Sequence, residues 1–93
     1  MDKQEARALL DGEVTRLREM NYADLRKYFD EEHQEVTGSS GKEYQIETLA
    51  VWDRKPEDDL RIFVSIDDGG LRAAFAPMTD GFIMRPNGSF VGE

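Results

Sequence analysis

The chain has 93 residues, with 20 Asp plus Glu against 12 Lys plus Arg for a net charge of −8 and a pI near 4.6. That length supports one domain around one core, and an apolar content of 39% with 10% aromatics is too rich for a disordered acidic tail. The acid surplus argues against a general nucleic-acid binder, which needs Lys and Arg to neutralise phosphates, and against adsorption to an anionic membrane surface.

Cysteine is absent, which excludes disulfide frameworks, thiol nucleophiles, iron–sulfur clusters and thiolate zinc sites together. Apolar runs reach only three or four residues, far below the ~20 of a membrane helix. The charged start Met1-Asp2-Lys3-Gln4-Glu5 has no apolar segment behind it to serve as a signal peptide. A cytoplasmic location is the expectation.

Residues 1–32 read as helical. Asp2 and Glu5 have the spacing of a capping box. Ala6, Leu9, Leu10, Val14, Leu17 and Met20 then recur at intervals of three and four, the apolar stripe of an amphipathic helix. Asp11, Glu13, Arg16, Arg18 and Glu19 fall mainly on the other side. Asn21 and Asp24 are placed to cap a shorter second helix carrying Leu25, Tyr28 and Phe29. Its end dissolves into Asp30-Glu31-Glu32, because three acids at a helix C-terminus oppose the macrodipole.

After Gly38-Ser39-Ser40-Gly41 the apolar period changes from 3.6 to 2, and residues 41–93 read as strands and hairpins. Strands are expected over Glu43 to Trp52, Leu60 to Ile66 and Leu71 to Ala76. The intervening turns are Asp53 to Asp59, with Pro56, and Asp67-Asp68-Gly69-Gly70. A final hairpin runs Phe82-Ile83-Met84, Arg85 to Ser89, then Phe90-Val91; its Pro86-Asn87-Gly88 supplies a fixed φ and then residues tolerant of positive φ.

The strands can be registered. Pairing Trp52 with Leu60, Ala50 with Ile62, Thr48 with Val64 and Ile46 with Ile66 sets Tyr44, Ile46, Ala50, Trp52, Leu60, Ile62, Val64 and Ile66 on one face. A tight turn at Asp67 to Gly70 likewise pairs Ile66 with Leu71, Val64 with Ala73 and Ile62 with Phe75. A one-residue slip would turn these side chains to the wrong face. The expected fold is α+β: an N-terminal helical pair packed on one face of a three- to five-stranded antiparallel β-meander, in a single domain spanning 1–93.

The other face is more apolar than a water-facing sheet requires. Leu49, Phe63 and Ala74 form one row, Val51, Arg61 and Ala76 the next, and Glu47, Ser65 and Arg72 a polar row. Coverage by the C-terminal segment, through Phe82, Ile83, Met84 and Phe90, is one explanation. A framed apolar patch for self-association or a partner is another, and a small-ligand groove a third. Leu49, Val51, Arg61, Phe63, Arg72 and Ala74 are the interface candidates.

No catalytic set is legible. His33 is the single histidine and reads as a solvated helix-end residue, with no nucleophile motif beside it. Ser39 and Ser40 lie in a turn, not on a nucleophile elbow. Glu57-Asp58-Asp59 and Asp67-Asp68 stand at opposite ends of one strand, roughly 20 Å apart at strand rise. Neither they nor Asp80-Gly81 match a calcium loop; aspartate and glycine are what tight turns ask for. Gly38 to Gly41 lacks the Lys and helix start of a phosphate cradle. Tyr28, Tyr44 and Trp52 fall at core positions. No metal or cofactor is implied.

The runs Gly41 to Glu47, Val64 to Gly70 and Pro86 to Glu93 resemble a group of small uncharacterised bacterial proteins. The similarity covers residues 41–93 and rests on turn chemistry. It implies a stand-alone bacterial protein ending naturally at Glu93, and it carries over no activity and no catalytic residue.

The function expected from these features is a non-catalytic protein-interaction or self-association module, as a homodimer or with a protein partner. The second reading is an acidic inhibitor or immunity-type protein meeting a basic partner by electrostatic steering. The third is a small carboxylate-based enzyme, which requires two acids ~5–9 Å apart in a concave pocket.

Overall fold

The computed structural model describes residues 2–69 and 77–93. Helix α1 spans Lys3–Arg18, α2 spans Tyr22–Leu25 and continues as a 3₁₀ turn over Arg26–Phe29, and four strands follow: β1 Glu32–Thr37, β2 Glu43–Trp52, β3 Leu60–Asp67 and β4 Met78–Met84. The strands form one antiparallel sheet in the order β1-β2-β3-β4. The fold is α+β, with the helices on one face of a four-stranded meander. Among the described residues, no helix is long and apolar enough to cross a membrane.

The helical segment starts where its caps are. Asp2 Oδ1 accepts from the Glu5 backbone N–H at 3.1 Å, satisfying one of the donors a helix start leaves free. Glu5, expected to reach back in reciprocal fashion, turns elsewhere. Its carboxylate accepts from Ser39 Oγ at 3.3 Å, Ser40 N at 3.0 Å, Ser40 Oγ at 2.8 Å and Tyr44 Oη at 2.8 Å, which ties α1 to the turn between β1 and β2. Those bonds, led by the Ser40 hydroxyl, hold Glu5 below the usual carboxylate range. Burial, and then the Glu5 carboxylate, push the Tyr44 phenol up to about 12. Asn21 caps α2 by accepting from Asp24 N at 2.8 Å.

The expected α1 stripe holds. Ala6, Leu10, Val14 and Leu17 are buried, with Leu9 and Met20 packed at its edge. Glu13 departs from the expectation: it is buried, not solvated. Its cost of burial is offset by charge-assisted bonds from Arg16 Nε at 2.9 Å and Nη2 at 2.7 Å, and Arg16 also donates to Tyr28 Oη at 3.2 Å.

The β2–β3 register is the one read from sequence: Trp52 faces Leu60, Ala50 faces Ile62, Thr48 faces Val64 and Ile46 faces Ile66. Tyr44, Ile46, Ala50, Leu60, Ile62, Val64 and Ile66 are all buried, and Trp52 packs at the core's edge. A buried Leu or Ile contributes about 1.5–3 kcal/mol over an exposed one, so this strand pair anchors the domain.

Two expectations about the flanking strands are corrected. First, the neighbour of β3 is β4, with Ile66 opposite Met78, Val64 opposite Asp80, Ile62 opposite Phe82 and Leu60 opposite Met84. The positions assigned to Leu71, Ala73 and Phe75 are thus held by β4, while the expected strand Leu71 to Ala76 lies outside the described residues. Phe82 and Met84 are core residues and do not fold across the second face. Second, His33 is not at a helix end. The helical segment stops at Phe29, and Glu32–Thr37 forms edge strand β1 beside β2, with Glu32 opposite Thr48 and Val36 opposite Tyr44.

The terminal hairpin forms as expected. Arg85 N donates to Ser89 O at 2.7 Å, Gly88 N to Arg85 O at 2.8 Å and Val91 N to Ile83 O at 2.9 Å, and Met84 bridges Phe90. Gly88 has φ +91°, the left-handed conformation this turn requires. Phe90 packs edge-on to Phe82 with centroids 5.6 Å apart. The Arg18 guanidinium lies 4.0 Å over the Phe90 ring and pairs with Glu93, whose carboxyl it holds below the usual range. These contacts moor the C-terminus to the end of α1.

Candidate interaction face

Side chains alternate along each strand, so burying one face sends the intervening residues to the other. Read across β1 to β4, the outer rows are His33, Glu47, Ser65 and Thr79; then Leu49, Phe63 and Gly81; then Val51, Arg61 and Ile83. Four of the six interface candidates, Leu49, Val51, Arg61 and Phe63, come together as expected. Arg72 and Ala74 lie outside the described residues, and the row positions assigned to them are held by Thr79 and Gly81. Ile83 was not among the candidates and completes the apolar group.

Phe63 is the centre of this surface. It is 46% exposed, whereas its neighbours along the strand, Ile62 and Val64, are at 1% and 0%. The exposure follows from its surroundings. Across β4 the partner position is Gly81, which offers no side chain to cover the ring. Gly81 is fixed by a close approach: a Cβ there would stand 2.1 Å from the Ile62 carbonyl oxygen. Asp80 Oδ1 accepts from Gly81 N at 2.7 Å, and Asp80 Oδ2 accepts from Arg7 of α1 at 3.2 Å, so the core side of the sheet holds the glycine in place.

Arg61 borders the ring with its guanidinium carbon 5.8 Å from the Phe63 centroid. Its charge is engaged by Asp53 Oδ1, at 2.8 Å from Nε and 2.7 Å from Nη2. Two shallow hollows flank Phe63. One, of about 190 Å³, is bordered by Glu31, Glu47, Leu49, Ser65 and Thr79. The other, of about 450 Å³, is bordered by Arg61, Gly81, Ile83, Val91 and Glu93.

The polar side of this face holds a juxtaposition that sequence reasoning missed. His33 Nδ1 lies 3.3 Å from Glu47 Oε1, and His33 Nε2 lies 3.1 Å from Glu31 Oε1. His33 and Glu47 are 14 positions apart and meet because they are direct cross-strand partners. The only available signal was the alternation of β1, which its polar composition conceals.

Two carboxylates whose titration is shifted serve the scaffold: Glu5 binds Ser39, Ser40 and Tyr44, and Glu93 pairs with Arg18. The outer face is an apolar ridge of Leu49, Val51, Phe63 and Ile83 with an acidic margin of Glu31 and Glu47. Comparison with protein-family models, curated proteins and solved structures finds no match to this chain.

Proposed function

We propose that this chain is a non-catalytic protein-interaction module whose outer sheet face binds a protein presenting an apolar side chain flanked by Lys or Arg. The observation that carries this reading is Phe63, a large aromatic side chain at 46% exposure in the middle of Leu49, Val51 and Ile83. Aromatic anchors at the centre of a patch dominate binding energy in protein interfaces. The margin sets the sign of the partner. Glu31 and Glu47 have no Lys or Arg partner among the described residues, Arg61 is already paired with Asp53, and the whole chain carries −8. A second copy would bring like charge to the same rim; a basic partner is drawn in and oriented. An inhibitor directed at a basic protein is one form of the same activity.

Selection of random displayed peptides on the full chain tests this. Retained sequences are expected to combine an aromatic or aliphatic anchor with Lys or Arg, to bind Phe63→Lys at least about tenfold more weakly, and to weaken as salt rises from about 50 to about 500 mM. Ligands that bind Phe63→Lys equally well, or that ignore salt, overturn the reading. So does a dimer at ~100 μM that Phe63→Lys dissociates, since it assigns the face to a second copy.

A further inference from the structure

The contact of His33 with two carboxylates has a chemical consequence. Each ring nitrogen of an imidazole can serve as an N–H donor or, where it carries a lone pair, as a metal ligand. Here both ring nitrogens face carboxylate oxygens, at 3.1 Å and 3.3 Å. Neither Glu31 nor Glu47 has a Lys or Arg partner among the described residues. One ligating atom from each of the three residues lies within 4.8 Å of the other two.

That is close to the spacing a small cation imposes. Metal–nitrogen and metal–oxygen distances near 2.0–2.2 Å put adjacent donors of a tetrahedral ion roughly 3.3 Å apart. The Glu31–His33 separation of 3.1 Å at Nε2 meets this already, and Glu47, now 3.3 Å from Nδ1, has a ligating oxygen within 4.8 Å of the other two donors. One imidazole with two carboxylates favours a borderline transition-metal ion over calcium or magnesium, which take all-oxygen shells. The strand pairing supplies the rigidity, because His33 and Glu47 are fixed opposite one another by the ladder between β1 and β2.

We propose that Glu31, His33 and Glu47 form a site for a divalent transition-metal cation of the Zn²⁺ type. Water fills the remaining positions, on the side of the 190 Å³ hollow bordered by Ser65, Thr79, Leu49 and Phe63. This inference stands on the three side chains and does not require Phe63 to anchor a protein partner, although a bound cation would offset the charge of the Glu31 and Glu47 margin.

Calorimetric titration of the tag-free full chain with ZnCl₂ near neutral pH tests it. One equivalent is expected to bind saturably at micromolar concentration. His33→Ala and Glu47→Gln are each expected to weaken binding about tenfold or more, while Glu35→Gln, the next outward residue of the same strand, leaves it unchanged. Circular dichroism of each variant reports the fold, which an exposed His33 does not support. CaCl₂ should not compete. Absence of saturable Zn²⁺ binding, equal affinity in His33→Ala, or displacement by Ca²⁺ at comparable concentration overturns the assignment.

Discussion

The two faces of the β2–β3 pair are built from alternate residues of the same strands, yet they do opposite things. On the helix side, Ile46, Ala50, Leu60, Ile62, Val64 and Ile66 are all at 2% exposure or less, sealed by α1 and the 3₁₀ turn. On the outer side, Leu49, Val51, Phe63 and Ile83 present a similar apolar chemistry without such a cover among the described residues. The helices decide the difference. Their apolar stripe is wide enough for one sheet face, and a chain of this size has no second helical layer to spend on the other. What remains apolar outside is half-buried or exposed among the described residues.

The largest effect is expected on the sealed side. Ile62→Ala should lower unfolding free energy by about 2–5 kcal/mol, measured by urea denaturation, whereas its neighbour Phe63 should tolerate truncation. Equal losses at both positions would break the distinction between the faces. Gly81→Ala tests the joint between them. With the Ile62 carbonyl oxygen 2.1 Å from the added Cβ, β4 must shift, at a cost of about 1–3 kcal/mol.

A smaller effect belongs to the tie between α1 and the β1–β2 turn, and it is read through pH. The folded Glu5 carboxyl titrates below its ordinary value of 4.5, so the stability it contributes is complete above that value and is lost as pH falls through the lower, folded one. Tyr44 has the opposite sign. Its phenol is raised from 10.0 to about 12, so its contribution is complete below pH 10.0 and disappears as pH rises through about 12. Glu5→Gln is expected to flatten the acid limb of the stability profile and Tyr44→Phe the alkaline limb. A limb that keeps its slope in the matching variant would remove that tie from the account.

On the outer side the expected changes are slight. Arg61→Ala should cost about 1 kcal/mol, because Arg61 is itself solvent-accessible but its loss leaves Asp53, only 13% exposed, without this partner. Phe63→Ser should cost about 1 kcal/mol, clearly less than Ile62→Ala, since the ring is already 46% exposed, while abolishing retention of peptides selected on the parent face. That separation of stability from binding would make the contrast between the faces sharpest.

Legibility in the sequence followed the same division. The β2–β3 register could be read because both strands alternate apolar and polar residues over many positions, and Pro56 with its neighbouring acids marks the turn. Strand β1 was opaque. Glu32-His33-Gln34-Glu35-Val36-Thr37 has one strongly apolar residue, as suits an edge that must resist pairing with other chains, and an edge strand leaves little periodic trace. Strand β4 was misread for another reason. Its Asp80-Gly81 is turn chemistry by composition, but the glycine serves close strand approach and the aspartate bonds Gly81 N and Arg7.

The sequence by itself determined the helical caps, the amphipathic stripe of α1, the central strand pair with its register, and the α+β class, because each rests on local periodicity or short-range hydrogen bonding. Only the tertiary structure decided which segment flanks β3, that Glu13 is buried against Arg16, and that Glu31, His33 and Glu47 converge. Those outcomes depend on contacts between residues far apart in the chain. Periodicity says which side of a strand a residue takes, but packing alone determines what it meets there.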